Sequence, residues 1–215
     1  MPVLRDMKVL IADDHAVVRR GLREILEDNF EDPIVGEAAG TAETMDAIRR
    51  EHWDIVLLDV TMPGRGGLEV LKDLRVTRPK LPVLVLTVHP VEQYGMRALK
   101  AGAAGYVTKE TAPEELVAAV KKVLSGSRYV PPALGETIAA SIAEPSGPAP
   151  HEALADREFQ VLCMLASGKT IKQIAIELSL SPKTISTYRA RVLEKLNLRC
   201  TAELVRYGQQ HGLAE

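Results

Sequence analysis

Over the first 125 residues, short apolar runs alternate with longer stretches in which apolar residues recur at helical spacing. The runs KVLIA, PIVGEAA, DIVLLDV, PVLVLTV and AGYVT begin at Lys8, Pro33, Asp54, Pro82 and Ala104. They are rich in Val, Ile and Leu with little polar alternation, as strands buried on both faces are. Between them, AVVRRGLREILED places Val18, Leu22, Ile25 and Leu26 on one helical face, and TAETMDAIRRE opens on Thr41 as a candidate cap. GLEVLKDLRV, VEQYGMRALKAG (closing on Gly102) and APEELVAAVKKVL (with Pro113 near its start) complete the set. Strands alternating with helices predict an α/β domain: a doubly wound, five-stranded parallel sheet of the flavodoxin-like kind.

The texture changes at Ser125. SGSRYVPPALGETIAASIAEPSGPAPHEA is rich in Gly, Ser, Pro and Ala, with one short helical pattern from about Leu134 to Ile142, and EPSGPAP reads as a flexible tether. Beyond it the chain is helical to its end. The predicted organisation is an α/β domain over 1–126, a linker with a short helix over 127–151 and an all-α domain of four helices over 152–215.

Composition adds few constraints. Apolar residues make up 46% and charged residues 26%, ordinary for a chain that buries a core without staples. Cys163 and Cys200 sit in no metal-ligand spacing and read as reduced thiols, with Cys163 in a helix core. No charged start followed by an apolar stretch suggests a signal peptide, and no run is long enough for a bilayer, so the chain reads as cytoplasmic with no membrane partner. The net charge of −2 is unevenly spread: from Glu152 onward nine basic residues face seven acidic ones, against 18 and 22 before it.

In an open parallel sheet, ligands bind beyond the carboxyl ends of the strands. The first strand ends on Asp13 and Asp14, the third on Asp59, the fourth on Thr87, and the fifth is followed by Lys109. Three carboxylates in one crevice repel each other, and burial raises their pKa values unless a hard cation is present. Magnesium suits such a site, since it takes one or two carboxylates together with water and a phosphate oxygen. Asp59 is then a nucleophile able to form an aspartyl phosphate, with Lys109 and the Thr87 hydroxyl to meet the phosphoryl oxygens.

KVLIADDH, DIVLLDVTMPGRGGLE, LTVH and LKAGAAGYVTKE together resemble the receiver domain of bacterial two-component response regulators. The resemblance implies that Asp59 accepts a phosphoryl group from a sensor histidine kinase. It also implies that Asp13, Asp14, Asp59 and the backbone carbonyl of Thr61 hold Mg²⁺, and that Thr87 and Tyr106 form a switch whose ring turns inward behind the hydroxyl. His89 and the Thr61 side chain fall where the family tunes acyl-phosphate lifetime. Pro90 departs from the acidic residue common there and stiffens the loop.

The tail carries a second signal. In GKTIKQIAIELSLSPKTISTYRARVLEKLNL, Ile171, Ile174, Ala175 and Leu178 share a face after Thr170 as cap, and SLS is a tight turn around Leu180. Ser181 caps a further helix with Pro182 first. On that helix Ile185, Tyr188, Val192 and Leu196 lie opposite Lys183, Thr187, Ala190 and Arg191, with Ser186 on the flank. From spacing alone this is a helix-turn-helix or a helical hairpin with a solvated charged face. Lys183, Arg189, Arg191, Lys195 and Arg199, opposed only by Glu194, favour phosphate contact.

The segment from Leu154 to Tyr207 resembles the output domain of the NarL/FixJ (LuxR-type) regulators. That implies double-stranded DNA as partner, with Lys183, Ser186, Thr187, Ala190 and Arg191 toward the bases and Thr170, Lys172, Thr184 and Arg189 toward phosphates. It also implies a homodimer when phosphorylated, with Leu204 and Val205 of the last helix in the contact. Ala155 stands where relatives carry a capping Thr or Ser, a loss of roughly 1 kcal/mol unless Asp156 substitutes. The resulting expectation is a phosphorylation-controlled transcription regulator that catalyses only its own phosphorylation and dephosphorylation. Two other readings are a magnesium-dependent phosphohydrolase, which should carry a second acid where Thr61 stands, and a DNA binder whose receiver makes protein contacts only.

Overall fold

Strands β1 (Lys8–Ala12), β2 (Ile34–Ala38), β3 (Ile55–Asp59), β4 (Val83–Thr87) and β5 (Gly105–Thr108) form one parallel sheet in the order β2-β1-β3-β4-β5. The computed structural model of the chain describes residues 7–62, 65–143 and 149–214. Helices α1 (Ala16–Asn29), α2 (Thr41–Arg50), α3 (Gly67–Thr77), α4 (Val91–Lys100) and α5 (Pro113–Leu124) connect and follow the strands. The predicted doubly wound α/β architecture is therefore observed.

Every residue of β3 and β4 is buried, which is why their sequences IVLLD and VLVLT carry no polar alternation. Val9, Ile11, Ile55, Leu57, Leu84, Leu86 and Val107 share one core with Leu22 and Leu26 of α1 and Leu116, Ala119, Val120 and Val123 of α5. Their neighbours Leu10, Val56, Leu58 and Val85 point to the other face and are also buried. Side chains buried this completely contribute about 1.5–3 kcal/mol each relative to exposure, so this double-sided core holds the strand ends in register. Pairing of Asp59 with Leu86 and of Thr87 with Thr108 brings the polar ends of three strands to one mouth.

Helix ends follow the predicted chemistry with one correction. Pro113 occupies the first turn of α5, and Gly102 closes α4 at φ +100°. Thr41, however, is the first helical residue of α2; Gly40 precedes it as the cap residue and contributes no side-chain bond. The Glu43 carboxylate instead accepts the Ala39 N–H at 2.8 Å, closing the entry from one turn inside.

After α5 the chain returns along the free edge of β5. Tyr129 donates its N–H to the Ala104 carbonyl at 2.9 Å, its carbonyl accepts the Tyr106 N–H at 3.3 Å, and it pairs with Gly105 in a parallel bridge. Helix α6 (Pro132–Ala143) follows, two residues longer at its start than the sequence pattern indicated. Contacts divide the chain into two compact units, one ending at Thr137 and the other beginning at Ile138, so α6 runs from one into the other. The tether EPSGPAP falls largely outside the described residues.

In the second unit, α7 (Asp156–Ala166) is buried from Arg157 through Ala166, with α8 (Ile171–Glu177), α9 (Pro182–Lys195) and α10 (Thr201–Gln210) packed around it. Cys163 lies in this core as a free thiol, whereas Cys200 is exposed. Among the described residues no helix is long and apolar enough to cross a membrane.

Gly67 sits where α3 comes back against the third strand. A Cβ there would collide with the Asp59 carbonyl oxygen, and the preceding Gly66 has φ +84°. Both positions thus require glycine for the backbone to pass the site. Gly67→Ala is expected to cost about 1–3 kcal/mol through overpacking against backbone, measured as a lower urea midpoint by Trp53 fluorescence; an unchanged midpoint would show that the loop yields.

Candidate functional site: a carboxylate crevice and a basic helix

Just past β1, Asp13 still donates its N–H to the Ala38 carbonyl of β2 at 3.1 Å. Its Oδ1 accepts the His15 N–H at 2.8 Å, an Asx turn that starts α1. Lys109, just past β5, donates its backbone N–H to the Thr87 carbonyl at 2.8 Å and so aims its side chain inward. The Lys109 Nζ lies 2.6 Å from Asp13 Oδ2 and 2.8 Å from Asp59 Oδ2. Asp59 Oδ1 accepts the Thr61 N–H at 3.0 Å.

Asp13 and Asp59 are 1% and 2% exposed, so their charges bear on each other through protein rather than water. Burial pushes the Asp59 carboxyl above its ordinary pKa, opposed by the Lys109 charge and hydrogen bond and by the Thr61 N–H, and reinforced by the Asp13 charge. For Lys109, burial favours the neutral amine, but the two carboxylates outweigh it and raise the pKa of the ammonium. Lys109 is thus the cation that meets both buried carboxylates.

Carboxylate oxygens of Asp13, Asp14 and Asp59, with a ring nitrogen of His15, lie within 4.8 Å of one another. His15 is exposed and its Nδ1 stands 3.0 Å from Asp14 Oδ1. Three hard oxygen donors at the mouth fit a magnesium-type ion, with His15 a flanking group rather than an expected ligand. The structure thus brings together Asp13, Asp14, Asp59 and Lys109 as read from the sequence.

Thr87 is fully buried, and its Oγ1 accepts the His89 N–H at 3.3 Å. The Tyr106 ring is also fully buried, and its hydroxyl donates to the carbonyls of His89 at 2.9 Å and Pro90 at 3.3 Å. The ring expected to turn inward therefore lies inside here, tied to the β4–α4 loop. His89 Nε2 is 3.0 Å from Thr61 Oγ1, and its ring stacks on Tyr94 of α4 with centroids 4.6 Å apart.

In the second unit, α8 and α9 are joined by a turn in which Ser179 adopts φ +53° and Leu180 is half-buried. Thr170 accepts the Gln173 N–H, with the Gln173 side chain accepting the Thr170 N–H in return, and Ser181 accepts the Thr184 N–H at 3.0 Å. Both predicted caps are present. Ile185 and Val192 face the core, while Lys183, Ser186, Thr187, Ala190 and Arg191 are all exposed along α9, as is Lys172 on α8. The hydroxyls of Ser186 and Thr187 bond back to the carbonyls of Pro182 and Lys183, leaving Lys183 and Arg191 as the basic groups of this face.

Two residues depart from the sequence reading. Arg189 donates through Nε to Thr201 Oγ1 at 2.7 Å, bracing α9 against the start of α10. Leu204 is fully buried within the unit, because the i, i+4 stripe of α10 that carries it also carries Gly208 against Ala166 of α7. It is therefore core rather than a surface for a second copy; Val205 remains half-buried.

Glu158 was missed. It is 3% exposed, accepts the Ala155 N–H at 2.9 Å and receives Lys195 Nζ at 2.6 Å. It, not Asp156, closes the helix start that Ala155 cannot cap; the acid three residues after the cap position was the available signal. Burial opposes ionisation, but Lys195 and the Ala155 N–H outweigh it and hold the carboxyl below its ordinary range. Because the folded pKa is depressed, the stabilisation is present above the unfolded carboxylate pKa and is lost as pH falls through the folded value. Glu158→Gln is expected to cost about 1 kcal/mol at neutral pH, since Lys195 is partly in water, and the difference from the parent should vanish in acid. Equal urea midpoints at pH 7 by circular dichroism would count against this role.

The comparisons with known proteins agree with this geometry. Residues 9–121 match the family described as the response regulator receiver domain, and residues 152–208 match the bacterial regulatory proteins of the luxR family. Response regulator UvrY of Escherichia coli K12 is 38% identical over 208 residues, spanning 96% of this chain and 95% of UvrY. Response regulator GacA of Pseudomonas aeruginosa is 37% identical over 210 residues, spanning 97% and 98%. RcsB from Salmonella enterica serovar Typhimurium, solved bound to promoter rprA in the presence of phosphomimetic BeF3⁻, aligns with a TM-score of 0.63 at 29% identity over 94% of this chain and 98% of its own. The chain belongs to the NarL/FixJ-type response regulators, which join a receiver domain to a LuxR-type helix-turn-helix domain.

Proposed function

We propose that phosphorylation of Asp59 by a sensor histidine kinase controls operator binding by the second unit. The observation that carries this reading is the buried Asp59 carboxylate, paired with Lys109 at 2.8 Å beside Asp13 and Asp14. An Asp59 oxygen attacks the phosphorus of a phosphohistidine, the P–N bond breaks, and the departing imidazole keeps the electron pair and takes a proton. Lys109 is placed to turn from Asp13 toward the new phosphoryl oxygens, and the Thr87 hydroxyl has a proton to give them. Mg²⁺, held by Asp13, Asp14, Asp59 and the Thr61 carbonyl, neutralises phosphoryl charge when bound. No general base is needed, and the only chemistry is the chain's own phosphorylation and its reversal.

On this reading residues 1–126 are the receiver, 127–151 the linker and 152–215 the DNA-binding domain. Lys183, Ser186, Thr187, Ala190 and Arg191 enter the major groove, and Thr170, Lys172 and Thr184 meet phosphates. Arg189 acts first as a brace and reaches phosphate only if it leaves Thr201. RcsB dimers have been solved on DNA, and the phosphorylated chain is proposed to bind a two-fold site as a homodimer in the cytoplasm. The test uses DNA fragments selected by sequencing what the BeF3⁻-treated protein binds. Their affinity is expected to rise about tenfold with Mg²⁺ and BeF3⁻, a coupling of ordinary size; equal affinities would defeat the control step.

A further inference from the structure

A second cleft opens at the end of the sheet opposite Asp59. Met7, Asp54, Pro82 and Ala104, which lead into β1, β3, β4 and β5, line its floor, and its volume of about 1150 Å³ is ample for a small molecule. Arg75 at the end of α3 and Arg128 after α5 stand on its wall, with Arg49, Arg50, Arg78 and Lys80 around them. The acids of the same cleft are Glu51 and Asp54, and Lys8 engages both. Its Nζ lies 3.4 Å from Glu51 Oε2, and its N–H donates to Asp54 Oδ2 at 2.8 Å.

Arg75 is built into this wall. Its Nη1 donates to the Pro79 carbonyl at 3.1 Å and its Nη2 to the Leu81 carbonyl. A Cβ at Gly102 would stand 2.5 Å from Arg75 Cδ and 2.7 Å from Cγ, so that bare position gives the side chain its track. The carbonyls fix the guanidinium but bring it no charge, and its buried Nε has no hydrogen-bond partner among the described residues. Burial disfavours the Arg75 cation, the charge of Arg128 disfavours it further, and no carboxylate offsets either. Backbone bonds of its neighbours hold Arg128 in place: Ser127 N–H reaches the Lys122 carbonyl at 3.2 Å, and Tyr129 N–H the Ala104 carbonyl at 2.9 Å. Bracing the turn at Pro79 and Leu81 accounts for Arg75 alone. It does not account for a second arginine whose charge opposes the first, a costly arrangement unless an anion completes it.

We propose that this cleft is a second ligand site of the receiver, taking a small molecule that carries a phosphate or pyrophosphate group, with that group bridging Arg75 and Arg128. Arginine forks meet phosphate oxygens in pairs, and a doubly charged group answers two guanidinium ions at once. Arg78 and Lys80 add charge at the rim, where both are exposed. The site lies at the amino ends of the strands, away from the Asp59 mouth, and does not rest on phosphorylation there.

Trp53 is the chain's single tryptophan and lines the same cleft, so its emission reports on occupancy. The full chain is titrated with pyrophosphate at constant ionic strength in EDTA, which keeps metal out of the Asp59 crevice. A saturable change in emission is expected, with half-saturation below about 1 mM, and sulfate should bind at least about tenfold more weakly. Arg128→Gln is expected to weaken pyrophosphate binding about tenfold or more, as loss of a charge-assisted pair does. Arg20→Gln, an equal change of charge at an exposed position on α1, should leave it unaltered. Arg128 is exposed, and its loss relieves the repulsion on Arg75, so the urea midpoint of the unliganded variant should hold or rise. Mg²⁺-dependent BeF3⁻ binding should also persist, which separates loss of the site from loss of the fold. Absence of saturable binding, equal affinity in Arg128→Gln and the parent chain, or sulfate binding as tightly as pyrophosphate would overturn the assignment.

Discussion

Asp59→Asn is expected to eliminate phosphoryl transfer and any response of DNA binding to BeF3⁻, while leaving the chain folded. The amide keeps the shape of the carboxyl group but carries no nucleophilic charge, and Lys109 retains Asp13 at 2.6 Å as its partner. Removing one of two buried acids also relieves the repulsion that, together with burial, raises the Asp59 pKa. Stability should therefore hold or rise slightly, in contrast to most changes at a buried charge. The check pairs a urea titration with transfer of labelled phosphate from acetyl phosphate. A variant that still accepts phosphate on this site would locate the nucleophile elsewhere.

The second large effect belongs to α9. Lys183 and Arg191 are its exposed basic groups on the face away from Ile185 and Val192. Replacing both by Ala is expected to weaken operator binding by about 2–6 kcal/mol if each reads a base edge at about 1–3 kcal/mol. The salt dependence separates the roles: a residue at a phosphate lowers the slope by about one ion, whereas a base contact changes sequence preference. Both side chains are exposed, so helix content should not change. Binding that is unaffected by the double substitution would return α9 to a plain structural hairpin.

Much of this was legible in the sequence, for a physical reason. β3 and β4 are buried on both faces, so IVLL and VLVL cannot be anything but apolar, and the polar residue that closes each, Asp59 or Thr87, marks the mouth of the sheet. The acids and Lys109 were therefore found by asking only where strands end. The caps at Thr170 and Ser181 were equally readable, since a hydroxyl before Ile171 or Pro182 satisfies N–H groups within its own turn.

The misses share the opposite character. Leu204 stands next to Val205 in the last helix, and only its contact partners show that it is core. Arg189 reads as a phosphate ligand until Thr201, twelve residues on, is found to hold it. Leu134 lies in a segment of linker composition, and nothing local reveals that it is fully buried against Gly95. Glu158 is the exception, since its place three residues after Ala155 is a local signal. Pairings distant in the chain are decided by packing, which a linear pattern does not record.

Control of operator binding by this chain requires one chemical event at Asp59. Incubating the full chain with acetyl phosphate and Mg²⁺, then mapping the product by mass spectrometry after borohydride trapping, should find a single adduct on the peptide containing Asp59 and none when the metal is chelated. An adduct on another residue, or none with Mg²⁺ present, would contradict it.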